Sequence, residues 1–246
     1  YQENSNAPGG WEGFKKFRVI KKELESSVIT SFYLVPANGE ELPEFKPGQY
    51  ITVRVPTPCG HTTMRNYSLS DKPGQPWFRI SVKKEEAEKI GSPDGYVSHF
   101  LHRMAEEGFL LEVAPPCGEF FLDMTEHHER PLVLLAAGVG ITPILSMLLS
   151  SVEAQTNRPI IFIQGSLNEE TQAFEKTISD LSNKNSHLKV HYRYSDPEKA
   201  ETQRLGNSST GFIDKDLIQS MVPTLDADYY FCGPKAFMTY LQSELL

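Results

Sequence analysis

The first half of the chain alternates short apolar runs with turn signals. Runs rich in β-branched and aromatic residues fall between about residues 15 and 122: Phe17–Ile20, Val28–Val35, Tyr50–Val55, Asn66–Leu69, Trp77–Val82 and Leu110–Val113. Turns such as Asn38-Gly39 and Lys72-Pro73-Gly74 separate them. This spacing predicts an antiparallel β-barrel. One helical interruption, with Val97, Leu101 and Ala105 on an apolar face, is expected to cap the barrel.

The second half has a different pattern. After the charged stretch Thr125–Arg130, short apolar runs suit buried parallel strands, with helical segments between most of them: Leu132–Ala137, Ile160–Gln164, Lys189–Tyr192 and Tyr229–Phe231. The predicted organisation is a linker at 1–13, a β-barrel domain at 14–126 and an α/β domain with a parallel sheet at 127–246.

Composition narrows the choice of partner and compartment. The 246 residues carry 24 basic and 32 acidic groups, a formal net charge of −8, which makes nucleic acid and anionic membranes unexpected partners. Three cysteines cannot form a disulfide framework, and no apolar run is long enough to span a bilayer, so we expect a cytoplasmic protein. The chain starts at Tyr1 rather than methionine, and we expect it to be a piece of a longer protein.

A glycine turn follows the first predicted parallel strand. The run Leu132–Ala137 leads into Gly138-Val139-Gly140 and then into an apolar helical segment. Glycines there would let the backbone approach a diphosphate, Thr142 could cap the helix, and Pro143 suits its first turn. Free amides and the positive helix end would face the anion. The alternative is a tight turn that needs glycine only for its shape, because Gly-x-Gly alone is a weak motif.

Two parts of the usual dinucleotide fingerprint are missing. Pro143 stands where a third glycine is expected, and the second parallel strand ends in Gln164-Gly165-Ser166, without a carboxylate for the ribose hydroxyls. The sequence therefore does not distinguish NADH from NADPH. Arg193, at the end of the third parallel strand, is one residue that could meet a 2′-phosphate.

The segment Arg65-Asn66-Tyr67-Ser68 combines several useful side chains on one predicted strand. Alternation places Arg65 and Tyr67 on one face, and Asn66 and Ser68 on the other. The guanidinium could clamp a diphosphate, the tyrosine could contact a flavin and the serine could reach a ring nitrogen. An exposed strand of mixed polarity would look the same. Nearby, Gly95-Tyr96-Val97-Ser98 opens the predicted helix and provides a second helix N-terminus able to hold phosphate.

Together these motifs resemble the ferredoxin–NADP reductase superfamily and, within it, the reductase part of flavohemoglobins, the nitric oxide dioxygenases. Arg-x-Tyr-Ser, followed about 70 residues later by Gly-x-Gly-x-Thr-Pro and then by Cys-Gly-Pro after a terminal strand, is a specific combination. Matching segments extend along nearly the whole chain: Gly10–Gly13, Ile29–Phe32, Pro47–Tyr50, Arg65–Ser68, Ser81–Glu85, Val97-Ser98, Gly138–Pro143, Cys232–Pro234 and Phe237-Met238.

The resemblance implies a role for each matching residue. Arg65 would bind the FAD pyrophosphate, with Tyr67 and Ser68 at the isoalloxazine, and the remaining FAD contacts would come from Tyr50, Asn66, Val82, Lys83, Val97 and Ser98. The nicotinamide nucleotide would contact Gly138, Val139, Gly140, Ile141, Thr142, Pro143, Cys232, Gly233, Pro234 and Phe237. Tyr67, Ser68 and Cys232 would lie at the reacting rings. Cys232 could instead be a small buried apolar residue.

The resemblance also implies an FAD-dependent NAD(P)H oxidoreductase. Hydride from NADH or NADPH would reduce the flavin, and single electrons would reach the haem of an N-terminal globin, which oxidises nitric oxide to nitrate. The chain itself contains no globin, so haem is expected only upstream in a longer protein. Two alternatives stay open: a stand-alone reductase of the superfamily serving a cytochrome or an iron–sulfur protein, and a non-catalytic module that senses flavin or nucleotide.

Two further expectations concern the chain end and the histidines. The family continues with a strand whose Glu-x-Phe-Gly-Pro-like segment covers the flavin, so the α/β domain ending at Leu246 is expected to be C-terminally truncated. No metal site is predicted. His99 and His102 are three residues apart and His127-His128 are adjacent, but no cysteine or carboxylate pattern completes a site, so surface or capping histidines are expected.

Overall fold

The computed structural model describes residues 9–87, 89, 91–125, 130–154, 158–196, 206–222 and 226–245. The chain divides into two compact units, Tyr1–Asp123 and Met124–Leu246. The predicted boundary at residue 126, the pair His127-His128 and residues 1–8 of the predicted linker lie outside the described residues. Within the ranges given above, no helix is both long and apolar enough to cross a membrane.

The first unit is built on one antiparallel sheet. Its described elements are β1 (Lys15–Leu24), β2 (Ile29–Pro36), β3 (Tyr50–Pro56), β4 (Thr62–Ser68), β5 (Phe78–Lys83), α1 (Tyr96–Met104) and β6 (Leu110–Val113). The strand order is β4-β3-β6-β1-β2-β5. The edge strands meet through a bridge between Leu69 and Ile80. The sheet thus closes on itself, and the predicted barrel is confirmed.

Alternating side chains fill the barrel. In β3, Ile51, Val53 and Val55 are buried while the residues between them are partly exposed, as expected for a strand with one face on a core. Phe17 stacks against Phe78 with ring centroids 5.9 Å apart. Trp11, placed by the sequence in the 1–13 linker, is buried in this core and donates its indole N–H to the Val113 carbonyl at 3.0 Å.

A buried polar chain fixes the barrel closure. Arg79 is almost fully buried, and its Nη2 and Nε donate to the Ser70 carbonyl at 2.5 Å and to Ser70 Oγ at 3.1 Å. Ser70 Oγ lies 2.7 Å from Ser81 Oγ, which lies 2.7 Å from Ser31 Oγ. Because buried polar groups are costly when unpaired, this network holds the strand end after Ser68 in one position.

The second unit is built on a parallel sheet. Its described elements are β7 (Leu132–Ala137), a 3-10 turn (Gly138–Gly140), α2 (Ile141–Glu153), β8 (Ile160–Ser166), α3 (Glu175–Lys184), β9 (Leu188–Tyr194), β10 (Ser208–Thr210), α4 (Lys215–Met221), β11 (Asp228–Cys232) and α5 (Lys235–Leu245). The strand order is β10-β9-β8-β7-β11, and each pairing is parallel. The predicted α/β fold is confirmed.

The strand order reverses at β7. From β7 the chain adds β8, β9 and β10 on one side, and then β11 returns to the other side of β7. In open parallel sheets, such a reversal leaves a crevice at the carboxyl ends of the two diverging strands, where ligands bind. The loops after Ala137 and Cys232 are therefore the expected site, because these residues end β7 and β11.

Candidate cofactor-binding sites

The first candidate site is centred on the β3–β4 pair. Tyr67 pairs with Ile51 and Arg65 with Val53, whereas Ser68 pairs with Tyr50. Directly paired residues share a face of the sheet, so Arg65 and Tyr67 lie on the face of the core residues, as the alternation predicts. On the opposite face, Thr52 Oγ1 donates to Asn66 Oδ1 at 2.8 Å.

Tyr50 is held by the segment that follows β6. Its N–H donates to the Cys117 carbonyl, and the Cys117 N–H donates back to Tyr50, each at 2.9 Å. Gly118 has φ +118°, and a Cβ there would lie 2.9 Å from the Tyr50 ring. Only glycine lets the backbone pass under this ring. A hydrogen bond with the Cys117 side chain raises the pKa of Tyr50, which keeps the phenol protonated at neutral pH.

Tyr67 and Arg65 have contrasting environments. Tyr67 is partly buried and packs against the barrel core, and this burial raises the pKa of Tyr67 strongly, so that it stays a neutral hydrogen-bond donor. Arg65 is exposed, and its Nη1 donates to the Met64 carbonyl at 2.7 Å. No carboxylate among the described residues forms an ion pair with Arg65. Its guanidinium therefore keeps donors available for an anion.

The start of α1 forms the second part of this region. Gly95 is the N-cap, no side chain caps the helix, and its first turn holds no acidic residue. Ser98 Oγ accepts from the Glu85 N–H at 3.2 Å and donates to the Gly95 carbonyl at 2.9 Å. The Ser98 side chain thus ties the helix to the preceding loop, and the free amides of the first turn are the groups that could bind phosphate.

The other residues predicted near FAD are buried or already form an ion pair within the protein. Val82 and Val97 are buried in the barrel core. Lys83 Nζ pairs with Glu85 Oε2 at 3.1 Å. Their proposed contacts with FAD remain predictions.

The second candidate site lies at the reversal of the parallel sheet. Gly138 has φ +54°, and a Cβ on Gly140 would lie 2.1 Å from the Cys232 carbonyl oxygen. A Cβ on Gly233 would lie 2.7 Å from Phe237 Cδ1 and 2.8 Å from Ala137 Cβ. Close packing of the two loops explains why residues 140 and 233 are glycines. This packing is a different cause from turn shape alone, which was the alternative suggested by the sequence.

Thr142 does not cap α2 as predicted. The helix begins at Ile141 with Gly140 as N-cap, and no side chain caps it. Thr142 Oγ1 instead donates to the Val139 carbonyl at 3.1 Å. A residue already inside the first turn cannot take the capping position, because the N-cap side chain must precede the helix. Pro143 does lie in the first turn, and Val139 is exposed beside the loop.

Cys232 ends β11 directly beside Ala136 of β7. Burial raises the pKa of Cys232, so its side chain is a neutral thiol at physiological pH. A neutral thiol is a weak nucleophile. This environment suits a residue that contacts a ring better than one that reacts covalently. Pro234, next to the Gly233 loop, is exposed.

Arg193 is already engaged by the protein. Its Nη2 lies 3.1 Å from Asp214 Oδ2, its Nη1 donates to Ser209 Oγ at 2.8 Å, and its Nε donates to the Phe212 carbonyl at 2.9 Å. Gln164, at the end of β8, is buried and donates to the Ala173 carbonyl at 3.1 Å. The charge that could have selected a 2′-phosphate is therefore balanced by Asp214.

The histidine expectation is wrong for His99. The side chain of His99 is buried rather than on the surface, and two carboxylates accompany it: Asp94 Oδ2 lies 3.9 Å from Nδ1, and Glu86 Oε2 lies 3.8 Å from Nε2. The sequence did not reveal this cluster, because Glu86 and Asp94 belong to the loop before α1 and no periodic pattern of residues predicts where a loop places its side chains.

Each half of the chain matches a known family model. Residues 16–122 match the family model of the oxidoreductase FAD-binding domain, and residues 134–243 match that of the oxidoreductase NAD-binding domain. The chain is 43% identical over 245 residues to a flavohemoprotein of Rhodopirellula baltica, and 40% identical over 240 residues to one of Bacillus subtilis. It covers 60% of the first of these and 57% of the second.

Solved structures show the same similarity. The FAD/NAD-binding domain of a nitric oxide dioxygenase from Vibrio cholerae is 31% identical with a TM-score of 0.81, and the match covers 94% of this chain and 92% of that one. A flavohemoglobin from Malassezia yamatoensis, solved with FAD and heme, has a TM-score of 0.81 at 22% identity. That match covers 99% of this chain and 59% of the flavohemoglobin, and it supports the fold alone.

Proposed function

Because the chain belongs to the flavohemoglobin family of FAD- and NAD-binding oxidoreductase domains, within the ferredoxin–NADP reductase superfamily, we propose that it is the reductase module that couples NAD(P)H oxidation to reduction of a globin haem. The one-electron acceptor and the nitric oxide dioxygenation that it would support belong to a longer protein. The flavohemoproteins that the chain matches are longer than the chain itself, which spans 60% of the first of them.

The single observation that carries this proposal is the packing of the Gly140 and Cys232–Gly233 loops at the strand reversal. A Cβ on residue 140 has no space there, so the backbones of the two loops are in direct contact and hold each other in place. Gly138, which has open space where a Cβ would stand, would let a dinucleotide diphosphate approach the backbone, and the positive end of α2 would favour the anion. The Phe237 ring packs against the Cα of Gly233.

The β3–β4 region fits FAD. Arg65 offers a guanidinium that has no carboxylate partner among the described residues for a pyrophosphate, and the neutral phenols of Tyr50 and Tyr67 with the half-buried Ser68 offer donors for a ring. FAD held there would supply a ring able to take two electrons as hydride and to pass them on singly. The chain's residues would hold the ring, keep their own protons and exclude water.

The compartment and the other partners complete the proposal. The described cysteines Cys59, Cys117 and Cys232 are free thiols. Free thiols fit a reducing compartment, which supports a cytoplasmic location. The net charge of −8 supports the absence of nucleic acid or membrane partners.

An anaerobic spectroscopic experiment tests the proposal. The purified chain, reconstituted with FAD, should show flavin absorption that is bleached within seconds by NADH or NADPH and restored by ferricyanide. A separately produced globin domain of a flavohemoglobin should then be reduced, whereas a [2Fe–2S] ferredoxin or cytochrome c should be reduced more slowly.

Each alternative has its own signature. Faster reduction of the cytochrome or ferredoxin would favour a stand-alone reductase. FAD that binds but is not bleached by either nucleotide would favour a sensing module. Failure to bind FAD at all would overturn the assignment of the β3–β4 region.

A further inference from the structure

Three potential ligands converge where the loop after β5 meets α1. Glu86, Asp94 and His99 each offer one ligand atom, and these atoms all lie within 4.8 Å of one another. The two carboxylates are exposed, whereas His99 is only 7% exposed. The cluster therefore has a buried nitrogen side and an open oxygen side, which leaves positions for water.

The buried histidine is oriented toward the cluster. His99 Nε2 lies 3.2 Å from the Glu85 carbonyl, an interaction in which the ring nitrogen donates. The other nitrogen, Nδ1, is buried without a hydrogen-bond partner among the described residues. With the proton on Nε2, Nδ1 carries the free electron pair. A ring whose second N–H donates to a backbone carbonyl is the usual arrangement of a metal-binding histidine.

The carboxylates are positioned to complete the set. Asp94 Oδ1 accepts from the Ala87 N–H at 2.9 Å, which leaves Oδ2 facing His99 Nδ1 at 3.9 Å. Glu86 Oε1 pairs with Lys84 Nζ at 2.8 Å, and its Oε2 lies 3.8 Å from His99 Nε2, at the edge of the same imidazole ring. The 3.9 Å between Asp94 Oδ2 and His99 Nδ1 exceeds a hydrogen bond but matches two ligands of one ion, since atoms about 2.1 Å from a metal lie about 3 to 4 Å apart. Glu86 joins them within the 4.8 Å span of the three ligand atoms.

We propose that Glu86, Asp94 and His99 form a binding site for a divalent transition-metal cation of the zinc class. One imidazole nitrogen with two carboxylate oxygens is a donor set that Zn²⁺ accepts, whereas Mg²⁺ prefers oxygen ligands and water. The bound ion would connect the loop before α1 to His99, the fourth residue of α1. The competing explanation is an ion pair between the carboxylates and a protonated imidazole.

Calorimetric titration of the FAD-loaded chain with Zn²⁺ tests the site. We expect saturable binding of one ion and binding of Mg²⁺ at least about a hundredfold weaker. Asp94→Asn and Glu86→Gln, both at exposed positions, should each weaken Zn²⁺ binding at least about tenfold, because even outer-sphere partners of a metal contribute that much. Glu107→Gln, which removes another exposed carboxylate of the same unit, should leave the affinity unchanged.

A second measurement on the unmutated chain makes the test independent of how well the variants fold. In ¹⁵N spectra of the unmutated chain, the Nδ1 resonance of one imidazole should move on addition of Zn²⁺ while its Nε2 stays protonated, and His99→Gln should remove that signal. Absence of saturable Zn²⁺ binding, or equal affinity in the carboxylate variants, would overturn the proposal. An imidazole of His99 protonated on both nitrogens at pH 7 with Zn²⁺ present would establish the ion pair instead.

Discussion

The α-carbon of Gly140 faces the backbone of Cys232 so closely that a Cβ would lie 2.1 Å from the Cys232 carbonyl oxygen and 2.6 Å from the Gly233 nitrogen. Neither atom belongs to a flexible side chain. The loops at the ends of β7 and β11 are therefore held together by backbone contact. Their relative position depends on the pairing of the two strands and not on either loop alone.

Gly140→Ala should separate these loops and damage the nucleotide site. We expect the KM for NADH, with ferricyanide as acceptor, to rise at least about tenfold, because misplacing a binding loop by about 1 Å has large kinetic effects. FAD content should be unchanged, since the β3–β4 region belongs to the first unit.

Gly206→Ala is the matched control for this substitution. Nothing lies within 4 Å of a Cβ at residue 206, and its φ is not positive. An unaltered KM for NADH in Gly140→Ala, with the control also unaltered, would contradict the assignment of this loop.

Arg65→Ala should weaken FAD retention. A guanidinium that forms charge-assisted hydrogen bonds to a pyrophosphate contributes about 1.5–3 kcal/mol, which corresponds to a roughly tenfold to hundredfold change in Kd. The measurement is fluorescence titration of the flavin-free protein with FAD. Arg103→Ala removes an exposed arginine at the end of α1 and should not alter the Kd. Equal loss in both variants would indicate a general effect of charge.

Asp214→Asn should improve the use of NADPH. Asp214 Oδ2 balances Arg193, while Oδ1 caps α4 by accepting from the Leu217 N–H at 2.8 Å. Asparagine keeps the cap but loses the negative charge. We expect the unmutated chain to use NADH better, and the variant to show a KM for NADPH lowered about threefold to tenfold by the freed guanidinium.

The control for Asp214→Asn is Asp216→Asn. Asp216 is exposed in the first turn of α4, so the variant changes the net charge by the same amount without releasing Arg193. A KM for NADPH that is unchanged by Asp214→Asn, or equally changed by the control, would remove Arg193 from the nucleotide site.

Periodic segments were predictable, and contacts between distant loops were not. The alternation in β3 and the continuous apolar run of β7 reflect which faces are buried, so they revealed the barrel and the parallel sheet. β10 has only three residues and no apolar pattern, so it escaped notice. The position of His99 beside Asp94 depends on the path of a loop, for which one sequence carries no signal.

The same distinction between local pattern and long-range contact applies to the candidate sites. Gly140 was singled out because a strand, a glycine turn and a helix follow one another, but its contact with Cys232 joins residues far apart in the sequence. The capping role of Thr142 was wrong because α2 begins at Ile141, two residues earlier than Thr142 as N-cap would require. The engagement of Arg193 by Asp214 similarly depends on tertiary structure.

Stability of the first unit should fall in mild acid because of His102. Burial lowers the pKa of His102, and the charges of Lys22 and Lys84 lower it further. A backbone hydrogen bond to Val82 raises this pKa but offsets only part of the effect. Its Nε2 lies 2.9 Å from the Val82 carbonyl, which it reaches as a donor in the neutral ring. The unfolded chain protonates this imidazole with an ordinary pKa of about 6.5. Unfolding thus takes up a proton below that pH.

The sign of the effect follows from this proton uptake. The stabilisation is complete above about pH 6.5 and is lost as the pH falls toward the lowered pKa of His102 in the folded state. Urea unfolding monitored between pH 7.5 and 5 should therefore show a shallower pH dependence for His102→Gln, whose amide can still donate to Val82. His187→Gln, at an exposed position, should keep the slope of the unmutated chain. An unchanged slope in His102→Gln would show that His102 is protonated equally in the folded and unfolded states.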